Sequence, residues 1–180
     1  PNPTSITSTA FGDFTGDGLP DLALCGNERI GSESSFKLLP IVHLYRNTGT
    51  SFEMYQANLT RTDNALMAFV DIDGLGGLDL VITGSDCSAS FGPNIIWTAL
   101  TRVFLMAPDG HFADAGADLE DLGYGYLAVA NVDGQSGLDI VYSGHFTKWT
   151  TIAIVFAHCL RPFFDQVSTK PKILFLFGIN

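Results

Sequence analysis

The chain has 180 residues, 46% of them hydrophobic, and a formal net charge of −10. This length and apolar content suit one globular unit with a sizeable core. No cluster of Lys and Arg offsets the acidic charge, which excludes nucleic acid as an expected partner because a polyanion would be repelled. The longest apolar run, Ile152–Ala157, is much too short for a membrane span.

An Asp-rich segment of nine residues occurs three times, and we refer to its copies as loops 1, 2 and 3. Loop 1 is DFTGDGLPD (Asp13–Asp21), loop 2 is DIDGLGGLD (Asp71–Asp79) and loop 3 is NVDGQSGLD (Asn131–Asp139). Their first residues are separated by 71 − 13 = 58 and 131 − 71 = 60 positions. Similarity at a nearly constant period predicts a repeat architecture. Eight of the 19 acidic residues lie in these loops, which favours a bound cation over general solubility.

The first repeat, residues 1–60, contains four predicted strands around loop 1. They are Thr7–Gly12 before the loop, Leu22–Cys25 after it, Pro40–Arg46, and a short strand reached through the turn Asn47–Phe52. Gly and Asp bound the first two segments, as is usual for strands. The connection Gly26–Leu39 is a variable part of the repeat.

The second repeat, residues 61–121, follows the same order around loop 2. Its segments are Ala65–Val70, Leu80–Thr83 and Arg102–Ala107, with a last short strand through Pro108–Phe112 and a variable connection at Ser85–Thr101. An alanine lies three residues before each loop, at Ala10, Ala68 and Ala128. Such small residues suit strands that crowd together at the inner edge of a radial assembly.

The third repeat, residues 122–180, places Tyr126–Ala130 before loop 3 and Ile140–Ser143 after it. The long connection His145–Pro171 holds Thr150–Leu160, which is apolar enough for an additional strand or a buried segment. We assign Lys172–Phe177 as the third strand, so that the fourth strand of this repeat is expected to be missing.

The repeat therefore predicts an all-β chain that forms part of a β-propeller. Four antiparallel strands in about 60 residues are typical of one blade, and propellers have about 4–8 blades. We expect consecutive blades at residues 1–60, 61–121 and 122–180, with sheets covered on both faces because the apolar segments do not alternate strictly. The truncated last blade would leave an open apolar edge at Lys172–Phe177, and further blades of the same or another chain are needed to close the ring.

The loops also predict metal sites, because oxygen ligands at alternate positions suit Ca²⁺, which takes about 6–8 oxygens. Loop 1 is the best candidate, with three carboxylates, a hydroxyl and a backbone carbonyl from Asp13, Asp17, Asp21, Thr15 and Leu19. Loop 2 is weaker, since Leu75 replaces a ligand and leaves Asp71, Asp73 and Asp79. Loop 3 is the weakest, with two carboxylates and two amides from Asn131, Asp133, Gln135 and Asp139. The plainer interpretation is that these side chains cap turns through hydrogen bonds to the backbone.

The loop and the strand after it carry a resemblance to a known repeat. The stretch GDFTGDGLPDLALCG from Gly12 to Gly26, with VDIDGLGGLDLVITG and NVDGQSGLDIVYSG, resembles the FG-GAP repeat of integrin alpha subunits and the related VCBS repeats. The resemblance implies three consecutive propeller blades with calcium at the blade hairpin. It further implies an extracellular or cell-surface protein that binds proteins or glycans and has no catalytic role.

No catalytic motif competes with this interpretation. The sequence has no Gly-x-Ser-x-Gly, P-loop, His-Glu-x-x-His or Cys-x-x-Cys pattern, and its four histidines fall at non-equivalent positions of the repeat. We therefore expect a non-enzymatic, calcium-stabilised scaffold for protein–protein interaction or cell adhesion. The alternative is a carbohydrate-binding, lectin-like propeller or an accessory domain of a larger secreted enzyme, in which Trp97 and Trp149 would line a sugar pocket.

Overall fold

The computed structural model describes residues 3–32, 35–86, 98–132, 134, 137–145, 152–158 and 172–177. Within these ranges the chain forms twelve β-strands and no helix. The strands make three antiparallel four-stranded sheets, each of them built from consecutive strands. The all-β class expected from the sequence is confirmed.

Each sheet contains the strands of one repeat, and each Asp-rich loop joins the first strand of a sheet to the second. Sheet 1 consists of β1 (Pro3–Gly12), β2 (Asp21–Ser32), β3 (Ser35–Asn47) and β4 (Phe52–Tyr55). Sheet 2 consists of β5 (Asp63–Val70), β6 (Asp79–Asp86), β7 (Thr98–Met106) and β8 (Phe112–Asp114). Sheet 3 consists of β9 (Gly123–Ala130), β10 (Asp139–His145), β11 (Ile152–His158) and β12 (Lys172–Phe177).

Sheet 3 corrects the expected truncation of the last repeat. Its third strand is Ile152–His158, which pairs with β10 from Asp139↔His158 to His145↔Ile152. Lys172–Phe177 is the fourth strand and pairs with β11, so the prediction of a missing fourth strand was wrong. The physical reason is that the β-branched run beginning at Ile152 has high strand propensity and follows β10 more closely in sequence, which favours it as the hairpin partner.

The connection between β2 and β3 also differs from expectation. The segment Gly26–Leu39 continues the hairpin, with pairs running from Asn27↔Pro40 out to Ser32↔Ser35. The corresponding connections in the other two sheets lie largely outside the described residues, and so do Trp97 and Trp149.

A glycine at the same position of each second strand marks a bulge in the first strand. A Cβ atom built on Gly26 would lie 1.9 Å from the Ser5 carbonyl oxygen, and one on Gly144 would lie 2.5 Å from the Gly123 carbonyl oxygen. At Gly84 the nearest backbone atom would be the Ala65 Cα, at 2.8 Å. The pairing register shifts at this point in all three sheets. Only glycine permits the backbones to approach so closely, which explains why it recurs.

The three sheets pack side by side through their first strands. Strand β5 lies against β1 and β2, and β9 lies against β5, β6 and β7. One apolar core lies between sheets 1 and 2, and its buried residues are Phe14, Ala23, Cys25, Leu44, Ala65, Leu80, Ile82, Phe104 and Phe112. A second core lies between sheets 2 and 3, and its buried residues are Ile72, Val81, Val103, Leu122, Ile140 and Tyr142. Sheet 2 is thus covered on both faces.

Candidate metal centre

The last aspartate of each loop is fully buried and begins the second strand of its sheet. One carboxylate oxygen, Oδ2, accepts a hydrogen bond from a loop backbone N–H in each repeat. The donors are Thr15 to Asp21 at 3.0 Å, Ile72 to Asp79 at 2.8 Å and Val132 to Asp139 at 2.9 Å. This shared geometry fixes the first half of every loop on its second strand.

The other oxygen of the closing aspartate reaches the end of the third strand in sheets 1 and 2. Asp21 Oδ1 accepts from the Asn47 N–H, and Asp79 Oδ1 accepts from the Met106 N–H, each at 2.8 Å. The closing aspartate therefore ties three chain segments together through backbone hydrogen bonds. For Asp21 and Asp79 the structure therefore shows the backbone hydrogen bonds of the capping interpretation.

Two glycines give the loops their tight curvature. The fourth residue has a positive φ in each loop, with values of 74° at Gly16, 70° at Gly74 and 74° at Gly134. The sixth residue repeats this in loops 1 and 2, with 88° at Gly18 and 95° at Gly76. Side-chain residues rarely adopt this left-handed conformation, so glycine is needed there for its backbone.

Loop 2 brings its three carboxylates together. Ligand atoms of Asp71, Asp73 and Asp79 lie within 4.8 Å of one another, and this is the only such cluster of His, Cys, Asp and Glu in the described part of the chain. Asp71 Oδ2 accepts from the Gly76 N–H at 3.2 Å, whereas its Oδ1 is buried and has no hydrogen-bond partner. A buried carboxylate oxygen without a partner is energetically costly. It marks a position where a cation would be favourable.

The electrostatics of loop 2 also favour a cation. Burial raises the pKa of the Asp79 carboxyl, and the nearby Asp73 carboxylate raises it further, against the opposing effect of the Met106 and Ile72 N–H groups. Loss of hydration and repulsion by the neighbouring carboxylate both make the ionised form of Asp79 costly. A divalent cation between the carboxylates would offset this cost.

In loop 1, backbone N–H groups and an arginine pair with the carboxylates of Asp13 and Asp17. Asp13 accepts backbone hydrogen bonds from Gly16 at 2.8 Å, Asp17 at 3.1 Å and Gly18 at 2.7 Å. Asp17 forms an ion pair with Arg46 at 3.0 Å, and the hydrogen bonds from this guanidinium lower the pKa of Asp17. The hydroxyl of Thr15, which the sequence proposed as a ligand, donates to Asp21 at 3.0 Å.

Arg46 is the residue that sequence reasoning missed. It precedes Asn47, whose N–H binds the closing aspartate of loop 1, and the equivalent residue before Met106 in sheet 2 is Leu105. Loop 1 therefore has its own counter-ion, and loop 2 has an apolar side chain in that place. The sequence favoured loop 1 over loop 2, but it is loop 2 whose carboxylates converge.

Loop 3 is described only in part. Asn131 Oδ1 accepts from the Gly134 N–H at 2.8 Å, which is a turn-capping contact. Asp139 holds the loop as its counterparts do in the other repeats. The other two proposed ligands, Asp133 and Gln135, lie outside the described residues.

Oxygen donors alone make up the loop 2 cluster, which fits a hard cation such as Ca²⁺ better than zinc or another thiophilic metal.

Searches against protein-family models and against curated proteins find no match for this chain. Among the described residues there is no helix long and apolar enough to cross a membrane.

Proposed function

We propose that the chain forms part of a calcium-stabilised β-propeller of the FG-GAP or VCBS type. In this proposal it serves as a non-catalytic scaffold for protein–protein interaction or cell adhesion at the cell surface or outside the cell. The observation that carries the proposal is the repetition of one unit, in which a four-stranded antiparallel sheet has an Asp-rich loop at its first hairpin.

The packing of the sheets supports the propeller architecture. The first strands β1, β5 and β9 are successive neighbours, as expected for strands that face a common axis. Glycine allows the close approach of β1 and β5. A Cβ built on Gly12, for example, would lie 2.6 Å from the Phe69 Cβ of the next sheet. Further sheets, from the same or another chain, would complete the ring.

The geometry of loop 2 supports the calcium part of the proposal. Three carboxylates converge there, one buried oxygen of Asp71 has no partner, and neither ion pair found among the described residues involves the group. Asp71, Asp73 and Asp79 would hold the ion, which would supply the positive charge that this half-buried cluster lacks. Extracellular calcium modules bind with dissociation constants of about 10⁻⁴ to 10⁻³ M, so such a site would be filled outside the cell.

Thermal melting in calcium and in EGTA tests this proposal. A ligand that binds only the folded chain adds about 2.7 kcal/mol of stability at a hundredfold excess over its Kd. We expect calcium to raise the midpoint of the wild type and to leave that of Asp73→Asn nearly unchanged. The control is Asp118→Asn, which removes one exposed carboxylate outside the loops and should keep the full calcium response. Equal responses in the two variants would refute a site at loop 2.

A further inference from the structure

Each outer sheet has one face that no other sheet in the described part of the chain covers. Leu22 and Leu24 alternate with the core residues Ala23 and Cys25, so they point away from sheet 2 and are only half-buried. Phe11 pairs with Leu22 on the same face and is 63% exposed. We call this surface the leading face of sheet 1.

Sheet 3 has a second surface that no other described sheet covers. Val141 lies between the core residues Ile140 and Tyr142 and therefore points away from sheet 2. Val132, in loop 3, is 52% exposed. We call this surface of sheet 3 the trailing face.

The leading face has a covered counterpart within the chain. Leu80 and Ile82 are the equivalents of Leu22 and Leu24 in sheet 2, and both are fully buried against sheet 1. Phe69 is the equivalent of Phe11, since 69 − 58 = 11. It stacks on Phe14 of sheet 1 with ring centroids 5.4 Å apart. The exposed face of sheet 1 thus carries apolar residues equivalent to those through which sheet 2 packs against sheet 1.

The trailing face also has covered counterparts. Phe14, Ile72 and Val132 occupy the same loop position, since 72 − 58 = 14 and 72 + 60 = 132. Phe14 is 4% exposed and Ile72 is 7% exposed, because each is covered by the following sheet. Val132 remains an apolar residue at a position that is buried wherever a following sheet is present.

A polar contact recurs at both interfaces within the chain. Cys25 Sγ donates to the carbonyl of Thr62 at 3.0 Å, and Thr83 Oγ1 donates to the carbonyl of Leu122 at 2.7 Å. The two donors occupy equivalent positions of the repeat, since 25 + 58 = 83, and so do the two acceptors, since 62 + 60 = 122. The next donor position, 83 + 60 = 143, is Ser143 on the trailing face. The preceding acceptor position, 62 − 58 = 4, is Thr4 in β1.

We propose that the trailing face of one copy of this chain packs on the leading face of a second copy, with the Ser143 hydroxyl donating to the Thr4 carbonyl of the other chain. The contact continues the two interfaces already present inside the chain. Two such contacts related by a two-fold axis close a ring of six sheets, which is within the usual range of propellers. The proposal rests on the propeller architecture of the proposed function but does not depend on calcium binding.

Sedimentation of the 180-residue chain at micromolar concentration, with calcium and with EGTA, tests the proposal. We expect a species of twice the 19.4 kDa chain mass in both conditions. Phe11→Glu and Val132→Glu should each weaken association by roughly a hundredfold, because an unpaired carboxylate would be buried in the contact. Leu75→Glu is the control, since Leu75 is 80% exposed in loop 2, away from both faces, and should leave the dimer intact.

Mixing the two variants tests the head-to-tail arrangement. The Phe11→Glu chain keeps a native trailing face and the Val132→Glu chain keeps a native leading face, so an equimolar mixture should recover a dimer through that one contact. A wild-type chain that stays monomeric would overturn the proposal. A dimer that is lost in only one of the two variants would also overturn it. That result would indicate a contact between two leading faces or between two trailing faces, which only one of the substitutions would disrupt. A calcium response of the melting midpoint together with a monomeric mass would reject the dimer and leave the proposed function standing.

Discussion

Replacing Ile72 by alanine tests the packing of successive sheets on the loops. Ile72 is 7% exposed and belongs to the core between sheets 2 and 3. The substitution removes three carbon atoms, which at about 0.8 kcal/mol for each buried methylene costs about 2.4 kcal/mol. The cavity left behind adds to this, so we expect a loss of about 3 kcal/mol. That is a large part of the stability of a typical domain, which is about 5–15 kcal/mol.

The control for this substitution lies in the same loop. Leu75 is 80% exposed, and Leu75→Ala should change stability by less than about 0.5 kcal/mol. Urea unfolding of both variants in EGTA, below the concentration at which chains associate, gives the comparison. If the Ile72→Ala and Leu75→Ala variants unfold at the same urea concentration, the loop does not contribute to the core and the described packing is wrong.

Three further outcomes follow from individual contacts. Gly84→Ala should destabilise the chain by more than about 1 kcal/mol in urea unfolding, because the new Cβ would meet the Ala65 Cα at 2.8 Å. Tyr142→Phe should cost about 1 kcal/mol in the same assay, because the buried hydroxyl donates to the Glu120 carbonyl at 3.0 Å. The raised pKa of Asp79 predicts a contribution that stabilises the fold below the ordinary value of 3.8 and is lost as the pH rises through the folded-state pKa. In EGTA, melting midpoints of the wild type should therefore fall relative to those of Asp79→Asn as the pH increases through this window. Calcium should oppose this fall, because it binds the ionised carboxylate.

The repeat made most of the fold predictable from the sequence. The strands beside loops 2 and 3, and the strand before loop 1, were located to within four residues because loop, glycine and apolar segment recur in register. Strand β2 extends seven residues beyond the predicted end at Cys25. The prediction for the last sheet was wrong about which segment forms the third strand. Ile152–His158 and Lys172–Phe177 are both apolar, and apolar content alone does not show which of them pairs with β10. Which strand pairs with β10 is decided by proximity along the chain and by strand propensity.

The contacts that distinguish loop 1 from loop 2 could not be predicted from the loop sequences alone. Asp17 is neutralised by Arg46, which lies 29 residues away and reaches the loop only because β3 ends beside it. The sequence ranked loop 1 first because Leu75 occupies a ligand position in loop 2. In the structure, a guanidinium and backbone N–H groups already pair with the carboxylates Asp13 and Asp17 of loop 1. The buried, unpartnered oxygen of Asp71 is likewise visible only once the chain is folded.

A structure from crystals grown in millimolar calcium tests the proposed calcium site in loop 2 most directly. Anomalous scattering identifies the ion, and the refined coordinates identify its ligands. We predict a calcium ion in loop 2 with Asp71, Asp73 and Asp79 among its ligands, at oxygen distances of about 2.3–2.6 Å. Loop 1 should keep the Asp17–Arg46 ion pair, which is 3.0 Å long in the structure described above. An ion bound in loop 1 with that pair broken, or no ion in loop 2, would contradict the account.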